Sequence, residues 1–287
     1  MTERVLHGIS VDVEDWYQST IDATAPLSDR FRCSTRKVLD ALAATEVKAT
    51  FFVLGLAAEK DPEVVRQIAS AGHEVQSHGY GHVEAFKLSP QEFRQDLLRA
   101  KGLLEDLTGG AIFGYRAPSF SIDERTPWAM DVLAETGHRY DSSVFPIKMS
   151  RYGVDGYPPE PRIVTTPQGR RIVEAPLACF HWLGKRLPAG GGGYFRLLPY
   201  LVIRRAFRQL DRLGRPGVIY FHPYEYDGTE MSSFRAEVSW VVRLHQGLGR
   251  KGFGGKIDKL MRDFRFGPLK DVLAGLLGQL DQPRAAL

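Results

Sequence analysis

Short apolar runs recur along the chain, and most of them stop at a polar or ionisable residue. Residues 5–13 read as a buried strand that ends in the carboxylates Asp12, Glu14 and Asp15. Residues 48–54, rich in β-formers, predict a second strand, and 73–77, 112–116, 138–142 and 217–222 predict four more. Helices fill the intervals. Ser34 and Thr35 stand as N-caps of a helix reaching about residue 45. Asp61-Pro62-Glu63 opens another, with Asp at the cap and Pro at the first position, and Gly72 stops it. Ser89 and Glu92 have the spacing of a capping box and begin a long amphipathic helix that ends near Gly109. Further helices are expected at about 125–136, 198–213, 256–264 and 268–280, while the Pro- and Gly-rich stretch 146–195 reads as loops and short strands.

Strands that alternate with helices predict an α/β fold with a mainly parallel sheet. No repeat appears, and no linker separates two autonomous units. The economical reading is one barrel-like domain over residues 1–230, with a helical C-terminal extension over 231–287 packed on it.

Composition narrows the class. With 43% hydrophobic and 25% charged residues, the 287-residue chain can bury a sizeable core and is not a disordered segment. The formal net charge of +4 does not call for nucleic acid, and neither an RNA-reading aromatic strand nor a zinc-finger spacing is present. Cys33 and Cys179 have no local cysteine neighbour and read as reduced, buried thiols, which fits the cytoplasm. Residues 1–8 lack the apolar core of a signal peptide, and no apolar run approaches the ~18–20 residues of a membrane span. The expectation is a cytoplasmic location, with peripheral contact to the inner membrane left open. The basic residues Lys251, Lys256, Lys259, Arg262 and Arg265 read as a solvated helix face.

Candidate chemistry sits where the strands stop. The first strand ends in Asp12, Glu14 and Asp15, the third in His78 and His82, and the fourth in Arg116. The fifth ends in Asp141 and the last in His222. In a parallel barrel these ends share one face, where active sites lie. Gly79 and Gly81 disfavour a helix between the two histidines, so His78 and His82 read as a loop pair able to reach one metal ion. Two histidines and one carboxylate leave positions open for water and substrate, as a hydrolytic metal requires. Asp12 and Glu14 point to the same side of their strand, so one can bind metal while the other accepts a proton. Asp15 begins the following turn and also reads as an N-cap. Arg116 is placed to pair with a catalytic carboxylate, and His222 to protonate a leaving amine. Asp141 is placed to hold His222, or else to cap the Ser142-Ser143 turn. Trp16, Tyr17, Trp182 and Tyr194 are candidates for stacking on sugar rings or for the core. The run Gly190–Gly193 reads as a flexible loop or as a close approach of backbone to a sugar.

Taken together these residues resemble the polysaccharide deacetylase family (the NodB-homology domain, carbohydrate esterase family 4) over about residues 5–225. Four stretches carry the likeness in order. They are residues 49–53, then 71–82 with Ser77-His78-Gly79-Tyr80-Gly81-His82, then Arg116-Ala117-Pro118-Ser119-Phe120, and finally Tyr220-Phe221-His222-Pro223. The resemblance implies an irregular (β/α) barrel and a divalent metal, zinc as a rule, with cobalt, nickel and manganese also suited to such ligands. It implies Asp12 as general base, Glu14, His78 and His82 as ligands, and Arg116 orienting Asp12. It also implies His222 as general acid supported by Asp141, and a backbone N–H near Ser119 at the developing oxyanion. Many members carry two adjacent aspartates where this chain has Asp12-Val13-Glu14-Asp15, so Glu14 and Asp15 both stand as the acid ligand.

A finer likeness points to the subgroup associated with exopolysaccharide gene clusters, on residues 10–16, 191–199 and 262–266. The implied substrate is an N-acetylated glycan, its lipid-linked precursor or an aminosugar; the oligomeric state is not indicated. Trp16, Ser119 and Tyr194 are the implied substrate contacts. Two other readings use the same fold: a metal-independent cyclic-amide hydrolase, like allantoinase, and an inactive carbohydrate-binding protein.

Overall fold

β1 spans Leu6–Val13, and all but its first residue are buried. Its polar side chains are therefore buried too, and each has a partner from another element. His7 faces Asp211 at 3.2 Å, the Ser10 hydroxyl donates to the Ile219 carbonyl at 2.8 Å, and Asp12 meets Arg116 at 2.8 Å. A strand covered on both faces can carry such groups only when they are paired. The computed structural model of the chain describes residues 4–149, 152–229 and 238–282.

The other strands are β2 (Thr50–Val53), β3 (Glu74–Ser77), β4 (Gly114–Tyr115), β5 (Tyr140–Asp141), β6 (Arg162–Thr165) and β7 (Arg171–Glu174). They are followed by β8 (Cys179–Trp182), β9 (Lys185–Pro188), β10 (Val218–Phe221) and β11 (Arg265–Gly267). The main sheet runs β10-β1-β2-β3-β4-β5-β7-β6, with β11 added to β1. Every pairing in it is parallel except β6 with β7. The chain leaving β7 curls back to β10, where Leu177 bridges Val218 and the Ala178 N–H donates to the Val218 carbonyl at 2.8 Å. This contact turns the curled sheet into an irregular ring. The expected mainly parallel α/β barrel is present. β8 and β9 form a separate hairpin.

Helices cover the outside: α1 (Trp16–Thr20), α2 (Arg30–Ala44), α3 (Gly55–Lys60), α4 (Pro62–Ser70) and α5 (Pro90–Thr108). They continue as α6 (Ala129–Glu135), α7 (Gly193–Leu197), α8 (Tyr200–Arg212) and α9 (Pro223–Tyr226). Asp61 caps α4 and the Ser89–Glu92 box caps α5, which ends on Gly109 at φ 65°. α2 begins earlier than its polar residues suggested. Ser34 and Thr35 lie buried inside it, and the Thr35 hydroxyl donates back to the Phe31 carbonyl at 2.7 Å, a bond that lets a hydroxyl sit within a helix. The helix expected over 198–213 starts at Tyr200, because Pro199 separates it from α7. The helix expected at 268–280 is two, Leu269–Val272 and Ala274–Leu280.

Alternation along β2 divides the core. Phe51 packs outward among helix residues such as Leu104 and Ile68, while Phe52 packs with Tyr140, Val173 and Tyr220 in the cluster enclosed by the ring. Leu269, Leu273 and Leu277 join that inner cluster, and the Leu269 N–H donates to the Thr50 hydroxyl at 2.7 Å. β11 thus pairs with β1, the Leu269–Val272 helix packs on β1 and β2, and the Ala274–Leu280 helix packs on β6 and β7. The boundary expected between 230 and 231 lies outside the described residues. Cys179 is buried, but Cys33 is exposed on α2, contrary to the expectation of two buried thiols. No helix of the described residues is long and apolar enough to cross a membrane.

Candidate metal and catalytic site

Four strand ends meet at one cavity of about 240 Å³ lined by Asp12, Glu14, His78, His82, Ser119 and His222, with Tyr152, Tyr220 and Tyr224 among its aromatic walls. Glu14 is central. Its Oε1 lies 3.0 Å from His78 Nε2, 3.4 Å from His82 Nε2 and 3.5 Å from His222 Nε2. Burial would push the Glu14 carboxyl up, but His82 and His222 beside it hold it well below the usual carboxylate range. His82 is raised in turn, with Glu14 overcoming burial.

Backbone geometry sets the histidine pair. His78 follows β3, and its Nδ1 lies 2.7 Å from the Arg116 carbonyl, which can only accept. The single N–H of a neutral ring is spent there, so Nε2 turns a lone pair towards Glu14. A lone pair facing a carboxylate oxygen at 3.0 Å repels it unless a cation or proton lies between. Gly79 takes φ 76° with no room for a Cβ beside Asp96. His82 itself sits at φ 58°, a left-handed conformation uncommon for residues other than glycine. Asp96, on α5, pins the loop by accepting from the Tyr80 N–H at 2.9 Å.

Asp12 is held from the ring interior. Arg116 Nη1 donates to Asp12 Oδ1 at 2.8 Å and to the Ser10 hydroxyl at 2.7 Å. Its Nε and Nη2 donate to the carbonyl and hydroxyl of Ser142. The guanidinium is fully buried, 4.3 Å from the centre of the Phe52 ring. With every donor fork engaged, it cannot rotate away from Asp12.

Three expected roles need correction. Asp15 is not beside the histidines: its Oδ1 caps α1 at Tyr17 and Gln18, and its Oδ2 accepts from Ser28, so its lone pairs are occupied. Asp141 does not meet His222: it accepts from Ser143 and is paired in register with Glu174. The partner of His222 is Glu225, whose Oε2 lies 3.1 Å from Nδ1. Burial would lower His222, but Glu14 and Glu225 raise it to about 10. Trp16 is fully buried against Tyr224 and Val238 with the Arg250 guanidinium 5.7 Å from its ring centre, so no sugar reaches it.

The remaining candidates divide. Ser119 lines the cavity at φ 54°. Tyr17 packs beside Trp16. Tyr194 lines a neighbouring cavity, and Trp182 lies on the β8–β9 hairpin under Arg205. Gly190–Gly192 is not a flexible loop: the Tyr220 N–H donates to the Gly190 carbonyl at 2.7 Å, and Gly191 bridges Tyr220 as a parallel pair. Lys256, expected on a solvated face, donates to the carbonyls of Phe195, Arg196 and Leu198 and so caps α7. Glu225 and Arg196 escaped the sequence reading. The signal for Glu225 is the His222-x-x-Glu225 spacing after a strand, which is that of a capping box.

The family model described as polysaccharide deacetylase matches residues 17–140. That stretch is a polysaccharide deacetylase domain. A second model, described as a domain of unknown function (DUF3473), matches residues 142–274. The site draws on both: His78, His82 and Arg116 fall in the first segment and His222 and Glu225 in the second, while Asp12 and Glu14 precede them. A peptidoglycan-N-acetylglucosamine deacetylase of Bacillus cereus is 38% identical over 98 residues, which is 34% of this chain and 36% of that protein. A chitooligosaccharide deacetylase of Bradyrhizobium is 31% identical over 125 residues, 42% of this chain and 55% of the relative. The chain thus spans about a third to a half of these relatives. A solved structure of a candidate polysaccharide deacetylase from Mycobacterium smegmatis superimposes with a TM-score of 0.64 at 21% identity, covering 100% of this chain and 96% of the other. At that identity the likeness speaks to the fold, an α/β half-barrel with a curled, mainly parallel sheet.

Proposed function

We propose that the chain hydrolyses N-acetyl groups on a sugar of a glycan, or of its lipid-linked precursor, with a divalent metal held by Glu14, His78 and His82. The observation that carries this reading is the convergence of one carboxylate oxygen and histidine nitrogens, all within 4.8 Å of one another, beside the Arg116-bound Asp12. The donor set fits a cation. His78 Nε2 faces Glu14 as a lone pair, and contacts of 3.0 and 3.4 Å match the edges of a site with bonds of ~2.0–2.2 Å. Such ligands suit zinc and equally cobalt, nickel or manganese. When bound, the metal would polarise the acetyl carbonyl and lower the pKa of water.

The chain's own groups supply the rest. Asp12, oriented by Arg116 at Oδ1, takes a proton from the attacking water. The water oxygen bonds to the acetyl carbon, and the carbon–nitrogen bond then breaks. His222, held at Nδ1 by Glu225, turns Nε2 into the cavity and gives a proton to the leaving amine. The Ser119 segment, at the cavity wall, lies where a backbone N–H can meet charge developing on the carbonyl oxygen. Tyr220 and Tyr224 close the sides against water. Deacetylase relatives that act on peptidoglycan and chitooligosaccharide support a sugar amide as substrate.

The deciding experiment is metal content by plasma mass spectrometry on wild type and on the His78→Ala/His82→Ala double variant, together with amine release from N-acetylglucosamine oligomers. Near one metal per chain, lost in the variant along with activity, is the expected result. A metal-free wild type that neither zinc nor cobalt activates would sink the proposal and favour a cyclic amide as substrate.

A further inference from the structure

Seven of the eleven large apolar side chains that stand exposed among the described residues fall in two stretches, 183–201 and 240–248. All seven are between 54% and 90% exposed. Leu183 lies at the turn of the β8–β9 hairpin, and Leu197 and Leu201 flank the start of α8. Trp240, Leu244 and Leu248 recur at every fourth position along and just past the helix Trp240–Gly247, so they share one face, with Val241 beside them.

The fold brings the two stretches together. Leu197 and Leu248 both line the second cavity of about 300 Å³, next to the catalytic one, that Tyr194 also lines. Arg196 Nη1 donates to the Gln246 carbonyl. β8 runs antiparallel to α8: Arg215 meets the Cys179 carbonyl, Gln209 meets His181, and Arg205 lies over the Trp182 ring. One more step along both elements sets Leu183 beside the first turn of α8, where Leu201 stands. Gly191 bridges Tyr220 just before α7, so α7 and the start of α8 lie at the end of the barrel where β10 delivers His222. The apolar band therefore lies on the catalytic side.

Charge is sorted in the same way. Residues 175–210 and 238–257 contain ten lysines and arginines and no aspartate or glutamate, although the whole chain carries 38 of the former and 34 of the latter. The exposed stripe of α8 that begins with Leu201 continues as Arg205, Arg208 and Arg212. Their neighbour Arg204 is neutralised by Asp263 at 2.7 Å, whereas no carboxylate among the described residues pairs with these three. An apolar patch of this size marks an interaction surface. Leucines and a tryptophan that enter the acyl boundary, edged by guanidinium groups that meet phosphate, fit the surface of an anionic bilayer. A nucleic acid would use the arginines and leave the apolar side chains in water. The eight-residue helix is far too short to span a bilayer, so the contact lies in the surface plane.

We propose that this face docks on a membrane rich in anionic lipid. The docking surface stands on exposure and charge and does not depend on the deacetylase reading.

The test is flotation of the full chain with vesicles of phosphatidylcholine alone or with about one third phosphatidylglycerol. Wild type is expected to bind the anionic vesicles at least tenfold more tightly than the neutral ones, and to lose much of that preference in about 0.5 M salt. Trp240→Ser/Leu244→Ser removes apolar surface, and Arg205→Glu/Arg208→Glu reverses the charge. Each double variant is expected to weaken binding to the anionic vesicles at least tenfold, with folding checked by thermal melting. Wild type that floats with neither vesicle overturns the proposal, as does binding that both folded variants retain. A wild-type dimer in light scattering that Trp240→Ser/Leu244→Ser converts to monomer, without vesicle binding, overturns it in favour of a second copy of the chain. Vesicle binding is read without metal or substrate, so its failure leaves the deacetylase reading standing, and a metal-free, inactive chain leaves the docking surface standing.

Discussion

His222 Nδ1 lies 3.1 Å from Glu225 Oε2, and the same oxygen accepts from the His222 backbone N–H at 3.2 Å. One carboxylate therefore fixes both the ring and the turn that carries it. The ring also stacks on Tyr224 at 4.6 Å with planes 5° apart, and Arg196 holds the far oxygen of Glu225 at 3.2 Å. His222 is thereby held with Nε2 directed into the cavity.

Glu225→Gln is expected to lower kcat roughly 10- to 100-fold, part of the ~10²–10⁴-fold that a positioned acid supplies. KM should change little, because Glu225 touches no substrate. Steady-state kinetics on N-acetylglucosamine oligomers provide the check. A variant that raises KM with kcat intact would show that Glu225 shapes binding instead.

The positions that converge were legible because their spacing is local or because they end strands. His78 and His82 declare themselves through the glycines between them, and Asp12, Arg116 and His222 through apolar runs that stop at them. What was not legible depends on pairing across the fold. Asp141 looks like a second partner for His222 until register puts it opposite Glu174 on β7, and nothing in the sequence around 141 names residue 174. Asp15 and Trp16 stand beside Glu14 in sequence, but the turn into α1 directs one to a helix cap and the other into the core. The Gly190–Gly192 run carries composition without direction; only its bridge to β10 shows why side chains are excluded.

The Asp141–Glu174 pair makes a pH prediction. Burial chiefly, and then Asp141, pushes Glu174 well above the ordinary carboxylate range, and burial raises Asp141 too. The folded protein therefore keeps a proton that the unfolded chain releases above about pH 4.3. Stability from this source is fully present below that pH and is lost as pH rises. Glu174→Gln mimics the protonated acid and should flatten the loss. Urea midpoints at pH 5 and pH 8 are expected to lie closer together in the variant than in wild type. An unchanged gap would mean that the pair does not hold the proton.

Asp227 works in the opposite sense. It ties α2 to the end of α9 through Lys37 at 2.9 Å and Arg30 at 3.2 Å. Burial alone would raise its carboxyl, but Lys37 and Thr229 lower it to about 2. Its contribution is present above the unfolded value of ~3.9 and is lost as pH falls towards 2. Both cations are partly exposed, so screening leaves ~1 kcal/mol. Asp227→Asn should cost about that much at pH 7 and clearly less at pH 2.5, as read from denaturant titrations at the two values. Equal cost at both would assign the loss to packing.

Gly191 tests how the second cavity is held open. An alanine there places its Cβ 1.8 Å from the Tyr220 carbonyl oxygen and 2.9 Å from the Tyr220 carbonyl carbon, and those backbone atoms belong to β10, which is buried and paired with β1. The residue also lies at φ 120°, which penalises any side chain. Gly191→Ala is expected to destabilise the fold by ~3 kcal/mol or more, because strain and steric overlap act together. Gly193 is the control: a Cβ there meets only the Arg196 side chain at 3.4 Å, and alanine should change stability by less than about 0.5 kcal/mol. Urea unfolding of the two variants gives the comparison. If Gly191→Ala proves as stable as Gly193→Ala, the backbone of α7 can move off β10, and the wall between the two cavities is not fixed by the glycine run.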